Sequence, residues 1–166
     1  MGGLVRNLIV LLKALLRPGL PQEGQPVSLW FLVTPFDTGI STFKSDRYLM
    51  LAECAQLDWL VRTGVAGRLL RQRCSFVNAA QMVKFDKPIR LFQRVRIETS
   101  VVHEDGKCAW FSHAFSVGGI PHAHVLVKMK FKQGRRTVAP AQFVPTASGP
   151  QPQALRQWDE ALASLR

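Results

Sequence analysis

The sequence has few acidic residues, few cysteines and no long apolar run, and each shortage narrows what the protein can be. It has 11 Asp and Glu against 22 Lys and Arg, which gives a formal charge of +11 over 166 residues. Such an excess favours anionic partners and says nothing about the fold. The longest uninterrupted apolar run at the N-terminus is Leu8 to Leu12. A membrane-spanning helix needs about 20 such residues.

The cysteines and histidines give no pattern typical of a metal or redox site. Cys54, Cys74 and Cys108 are widely spaced and contain no C-x-x-C pair. We expect free thiols in a reducing compartment, which favours a cytoplasmic location. His122 and His124 share one face of a predicted strand, but no third ligand is evident beside them. The sequence therefore predicts neither a metal nor any other cofactor.

Residues 1–20 have the pattern of a basic amphipathic helix. Arg6, Lys13 and Arg17 share one helical face, while leucines between residues 4 and 16 lie mostly on the other. Arg17-Pro18-Gly19 ends the helix, and a linker rich in Pro and Gly follows. Two interpretations stay open. The helix packs on its own domain or a partner subunit, or residues 4–16 lie in a membrane interface at the periphery of the bilayer.

The segment from residue 27 to residue 63 predicts a strand, a loop and one long helix. Val27–Val33 is apolar and aromatic, and the loop follows it to Ser45. Ser45 is the expected N-cap, and Gly64 is the expected C-terminal stop. The helix is apolar around much of its girth, which indicates a helix clasped by a sheet. A basic connector is predicted after it.

The second half of the sequence changes to the alternating period of strands. Val95, Ile97 and Thr99 alternate with charged residues, and Glu104-Asp105-Gly106-Lys107 is a strong turn signal. Four strands are predicted, at 76–85, 91–102, 108–117 and 122–132. A tail over 141–166 is expected to end in a short helix near residues 153–165.

This order of elements predicts an α+β fold of the hot-dog type, with an antiparallel sheet wrapped around one long central helix over residues 27–140. One strand of such a sheet is left as an exposed edge unless it is paired. We therefore expect a homodimer or a dimer of dimers.

The segment from Pro35 to Glu53 resembles the strand–loop–helix opening of hot-dog thioesterases, in the group with a leucine-rich N-terminal helix. Pro35, Asp37 and the run Arg47-Tyr48-Leu49 match that family's P-x-D-x-D and x-R-Y-L patterns. The family's H-M-N-N is replaced by Thr42-Phe43-Lys44-Ser45, and the loop is one residue shorter. The second Asp of D-x-D, the usual catalytic carboxylate, then falls on Thr38 or Gly39. A gap placed differently makes Asp37 that carboxylate.

The resemblance implies hydrolysis of a thioester between an acyl group and coenzyme A or a carrier protein. Such a reaction needs a carboxylate and donors for the developing oxyanion. Asp37, or alternatively Glu53, is the candidate base or nucleophile, and Thr42 or Ser45 is the candidate for orienting water. Backbone N–H groups at the start of the long helix are the candidate oxyanion donors.

A cluster of basic residues suits the phosphates of coenzyme A, and the candidate substrate-binding residues are Tyr48, Arg68, Arg71, Arg73 and Lys84. The alternative is a non-catalytic hot-dog protein that binds acyl chains or a protein partner, because the loop departs from the family pattern. A nucleic-acid partner is not expected, since no motif of interleaved aromatic and basic residues occurs.

Overall fold

The computed structural model describes residues 25–145 and 150–165. The predicted N-terminal helix and its membrane contact through residues 4–16 lie outside the described residues. Within them, no helix is long and apolar enough to cross a membrane.

One long helix, two short helices and six strands make up the described chain. The strands are β1 Val27–Leu32, β2 Ser75–Phe85, β3 Arg94–Glu104, β4 Ala109–Val117, β5 Ile120–Gln133 and β6 Arg136–Val138. The helices are α1 Ser45–Arg62, α2 Val65–Arg71 and α3 Gln153–Ala163. Single 3-10 turns lie at Pro35–Asp37 and Pro140–Gln142.

All the strands form one antiparallel sheet in the order β1-β3-β4-β5-β2, and β6 pairs with the end of β5. β1 and β2 are therefore the two edges of the main sheet. Successive side chains of a strand point to opposite faces, so the alternation in the sequence sorts each strand into an inner and an outer side. The predicted antiparallel sheet is confirmed.

The inner face of the sheet packs against α1 and forms the main core. Tyr48, Ala52, Ala55 and Trp59 of α1 are all buried. They meet buried side chains from the sheet, including Ile97, Phe111, Phe115, Val127, Met129 and Phe131. The prediction of a helix clasped by a sheet is confirmed.

The ends of α1 differ in one respect from the prediction. The N-cap is Lys44, whose backbone is extended, and Ser45 is the first helical residue rather than the cap. At the other end Gly64 has φ +73°, which a residue with a Cβ adopts only at a cost. The predicted stop at Gly64 is therefore confirmed.

Three segments were misjudged from the sequence. The predicted basic connector after Gly64 is the helix α2, because its leucine and valine side chains bury against the core. β3 begins at Arg94 rather than Leu91, because Phe92 has φ +63° and a turn bonds Gln93 N to Arg90 O. The strand β6 is absent from the prediction, since its three residues carry no alternating apolar pattern.

The predicted C-terminal helix is present as α3, and it lies on the outer face of the sheet. Leu155 is buried there with Cys108 and Trp110, and Trp158 packs against them. Lys128 Nζ on β5 donates to Asp159 Oδ1 at 2.6 Å. The outer face over β4 and β5 is thus covered by the tail of the chain itself.

Candidate active site

Asp37 lies in the loop that leads from β1 into α1, and its side chain is fully buried. Its Oδ2 accepts hydrogen bonds from the backbone N–H of Thr34 at 3.0 Å and from the Thr34 hydroxyl at 2.5 Å. Its backbone carbonyl accepts from Lys44 N at 3.1 Å. Asp37 is therefore fastened to the residue that immediately precedes α1.

The start of α1 presents backbone donors at the same end of the domain. The first N–H groups of any helix have no partner within the helix, and they carry the positive end of its dipole. Ser45 and Asp46 are the first two residues of this 18-residue helix, and the cap residue Lys44 makes no side-chain capping bond. The N–H groups of Ser45 and Asp46 are thus suited to a developing negative charge.

The two other catalytic candidates, Glu53 and Thr42, lie on the surface. Glu53 is exposed on α1, two turns after Ser45. Thr42 is exposed, and its backbone forms an isolated antiparallel β-bridge with Arg90. The catalytic roles of Glu53 and Thr42 stay predictions.

Tyr48 is a core residue within the single chain. Its ring makes edge contacts with Phe43 and Phe85, at centroid distances of 4.8 and 5.0 Å. Burial raises the pKa of the Tyr48 phenol, although a hydrogen bond with the Ile89 backbone acts in the opposite direction. Its predicted contact with substrate stays a prediction.

The predicted basic cluster, Arg68, Arg71 and Arg73, does not converge on Asp37 in one chain. Arg68 and Arg71 lie on α2 and Arg73 follows it, beyond the C-terminal end of α1. At 1.5 Å per residue, the 18 residues of α1 separate the two ends by about 27 Å. Arg68 donates to Phe143 O at 2.6 Å.

Lys84 differs from the arginines because it lies near the end of β2, on the side of the domain where α1 begins. Its Nζ forms an ion pair with Asp86 Oδ1 at 2.8 Å. Of the five substrate-binding candidates, Lys84 and Tyr48 share the end that holds Asp37, while the three arginines occupy the opposite end.

Sequence reasoning missed a set of polar groups between α1 and the edge strand β2. Gln56 is buried, and its Nε2 donates to Asn78 Oδ1 at 3.2 Å and contacts Met129 Sδ at 2.7 Å. A glutamine inside the apolar stripe between Ala52 and Trp59 was the available signal. These groups join α1 to the inner side of β2 and β5.

A second buried polar pair lies in the inner core. His113 is fully buried, and its Nδ1 lies 2.9 Å from the Thr99 hydroxyl. Burial, with a smaller contribution from His124, lowers the pKa of His113 to about 3. His113 is therefore neutral at physiological pH. In the described part of the chain, no group of three His, Cys, Asp or Glu side chains is placed to hold a metal ion.

Comparison with known proteins supports a single family. A family model described as the thioesterase-like superfamily matches residues 42–158, which is most of the chain. The matched segment starts just after Asp37, so the match does not include that residue. No curated protein sequence matches significantly.

Solved structures show the same architecture. A probable thioesterase from Escherichia coli has a TM-score of 0.65 and 16% identity, over 69% of this chain and 90% of that one. The 4-hydroxybenzoyl CoA thioesterase of Pseudomonas sp. strain CBS-3 has a TM-score of 0.64 and 12% identity, over 72% and 96%. A hypothetical Staphylococcus aureus protein in complex with CoA has a TM-score of 0.64 and 11% identity, over 80% and 94%. At these identities the likeness shows the fold, and it confirms the hot-dog architecture.

Proposed function

The chain belongs to the thioesterase-like superfamily, and on that premise we propose that it hydrolyses an acyl thioester of coenzyme A or of a carrier protein. The observation that carries the proposal is the position of Asp37. Asp37 is a buried carboxylate, and its backbone carbonyl is hydrogen-bonded to Lys44, the residue before an 18-residue helix.

In the proposed reaction, the carboxylate of Asp37 either removes a proton from water or attacks the carbonyl carbon itself. The carbonyl oxygen gains negative charge in the transition state. The N–H groups of Ser45 and Asp46 stabilise that charge. The carbon–sulfur bond then breaks, the thiolate takes up a proton, and water supplies the oxygen of the released acid.

We also propose that two copies of the chain pair through the edge strand β2. Its apolar side chains Val77 and Met82 are exposed, and an unpaired edge is a template for another strand. Two copies of β2 related by a two-fold axis run antiparallel. The end of β2 near Phe85 then lies beside the start of β2 of the partner subunit.

This pairing offers a role for the distant arginines. α2 and Arg73 immediately precede the start of β2, and the Asp37 loop lies at the end where β2 finishes. In an antiparallel pair, the basic cluster of one subunit therefore approaches the Asp37 loop of the other. Its cations are suited to the phosphates of coenzyme A, which a related protein binds.

The test is thiol release by the purified full chain across acyl-CoAs with short, long and aromatic acyl groups. Asp37→Asn keeps the acceptor for Thr34 but removes the charge, and we expect a loss of turnover of about 100-fold or more. Glu160→Gln is the matched control, because it removes an exposed carboxylate from α3, on the outer face of the sheet. It should leave turnover within about twofold of the parent.

A second candidate function has an observation of its own. Thr34 holds Asp37 Oδ2 through two hydrogen bonds, which is also what a purely structural turn carboxylate does. A non-catalytic protein that binds acyl chains or a protein partner fits that arrangement. Saturable acyl-CoA binding without thiol release from any substrate would favour it, whereas release that Asp37→Asn abolishes would exclude it.

A further inference from the structure

Four large apolar side chains are exposed together at the end of the domain where α1 begins. The exposed fraction is 84% for Phe36, 105% for Ile40, 69% for Phe92 and 55% for Leu32. We call these four residues the apolar tip. Single exposed apolar side chains are ordinary, but a cluster of this kind marks an interaction surface.

Backbone contacts fix Phe92 and Ile40 at this end of the domain. Phe92 N donates to Val33 O at 3.0 Å, which fixes Phe92 beside the end of β1. Gly39 N donates to Thr42 O at 2.9 Å, so Ile40 lies at the tip of a tight turn. Thr42 then pairs with Arg90, which joins that turn to the segment that carries Phe92.

The exposed residue Phe92 has an unfavourable backbone conformation. Its φ of +63° lies in the left-handed region, which is unfavourable for a bulky side chain. Packing of the Phe92 ring into the core does not compensate for the strain, because the ring is mostly in solvent. Strained backbone of this kind clusters at functional sites, including those that clamp a ligand.

Basic side chains surround the apolar tip. Lys44, Lys87, Arg90 and Arg94 are all exposed, and we call these four the basic rim. The two exposed acidic residues at this end pair with cations outside the basic rim. Asp46 Oδ2 lies 3.6 Å from Arg47 Nε, and Asp86 Oδ1 lies 2.8 Å from Lys84 Nζ. In the part of the chain that the structure describes, no carboxylate pairs with a member of the basic rim.

We propose that the apolar tip and the basic rim dock on an anionic lipid surface. Phenylalanine, leucine and isoleucine insert at the boundary between headgroups and acyl chains, and flanking Lys and Arg meet the acidic headgroups. A second copy of the chain fits this surface poorly. A two-fold axis through it sets the cations of the basic rim, which have no carboxylate partner among the described residues, against the same cations of the partner.

Docking in this orientation brings the start of α1 and the Asp37 loop to the membrane. Acyl chains dissolved in the bilayer are then next to the proposed thioesterase site. The docking proposal does not depend on catalysis. A chain that binds vesicles as expected but releases no thiol would overturn the proposed function alone.

The test is co-sedimentation of the full chain with vesicles of phosphatidylcholine containing about one third phosphatidylserine. We expect Phe36→Ser with Phe92→Ser to weaken partitioning by about tenfold or more. Leu70→Ser is the matched control, because Leu70 is 78% exposed on α2, among arginines, at the other end of the domain. It should leave partitioning unchanged.

The charge of the basic rim is tested separately. Lys44→Gln with Arg90→Gln should weaken binding to the anionic vesicles by about 30-fold. Binding to pure phosphatidylcholine vesicles should not change, because the headgroups then carry no net charge. Equal weakening on both kinds of vesicle would overturn the assigned role of the cations.

A local probe separates this surface from the basic N-terminal segment, which stays present in every variant. A polarity-sensitive fluorophore on Ile40→Cys, with Cys74→Ser to remove the half-buried native thiol, should shift to the blue on anionic vesicles. The same fluorophore on Leu70→Cys should not. An unshifted Ile40 probe would overturn the proposal. So would a fall in oligomeric state of the Phe36→Ser, Phe92→Ser variant in solution, since a second copy would then occupy the surface.

Discussion

One helix covers each face of the sheet, but the buried apolar cluster is much larger on the inner face than on the outer face. The inner face lies against the 18-residue α1, and aromatic side chains such as Phe111, Phe115 and Phe131 are fully buried there. The outer face lies against the 11-residue α3, whose contact is a small cluster around Trp110 and Leu155. Stability is thus concentrated on one side of the sheet, while the other side carries a lighter cover.

The polar groups on the two faces differ in their charge and in their exposure to water. On the inner face, the buried histidine His113 is neutral and has Thr99 as its partner. On the outer face, Lys128 and Asp159 form an ion pair that is partly open to solvent, and Lys128 also lies 4.8 Å from the Trp110 ring centroid. Burial of a charge costs more than burial of a neutral group, and this ion pair lies where water still reaches it.

Truncation of one leucine on each face tests whether the inner cluster stabilises the fold more than the outer cluster. These variants have the largest expected effect on the free energy of unfolding. Leu51→Ala in α1 should lower the free energy of unfolding by about 3–5 kcal/mol, because it leaves a cavity in the closed inner core. Leu155→Ala in α3 should lower it by about 2 kcal/mol, because the shallow outer cluster collapses more easily. Chemical denaturation of both variants measures the values, and an equal loss would show that both faces are packed to the same depth.

Lowering the pH should lower the free energy of unfolding, because His113 binds a proton more readily in the unfolded chain. Its pKa is about 3 in the folded chain and about 6.5 when unfolded, so the unfolded chain binds the proton first as the pH falls. The folded state carries no penalty from this group above about pH 6.5. Between pH 6.5 and pH 5 the loss is at most about 2 kcal/mol, and it grows until about pH 3.

Denaturation of the parent and of His113→Gln across this pH range isolates the effect of the histidine. The difference between their unfolding free energies should change with pH, and a constant difference would contradict it. His124→Gln is the control on the outer face. Burial, with Lys84, lowers the pKa of His124, but its half-exposed ring hydrogen-bonds Ser112. Its pH dependence should be weaker than that of His113.

The smallest expected effect concerns the ion pair on the outer face. Asp159→Asn keeps the shape of the side chain but removes the charge that Lys128 meets at 2.6 Å. We expect a loss of about 1 kcal/mol of unfolding free energy, since the pair is only partly shielded from water. The loss should shrink at high salt. A loss as large as that of Leu155→Ala would mean that charge rather than apolar contact holds α3 in place.

Much of the fold was predictable from the sequence because its signals are local. The alternation around Ile97 and Thr99 predicted the inner and outer faces of β3, and Gly64 predicted the end of α1. The missed features lack a local signal. Nothing in the periodicity shows that α2 is a helix rather than a connector, or that Phe92 turns the chain before β3.

The candidate site was predictable only in part. The resemblance of the loop to hot-dog thioesterases pointed to Asp37, and the structure places that residue against the start of α1. The same reasoning added Arg68, Arg71 and Arg73 to the site, because basic side chains suit the phosphates of coenzyme A. The length of α1 separates them, and only pairing with a second copy is proposed to bring them together.

The sequence by itself determined the class of the fold and the helix that the sheet encloses, because hydrophobic period and turn residues act over a few neighbouring positions. Only the tertiary structure decided the order of the strands, the burial of Asp37, the cover of α3 on the outer face and the gathering of Phe36, Ile40 and Phe92 at one end. Those features depend on contacts between residues far apart in the chain, and no local pattern encodes such contacts.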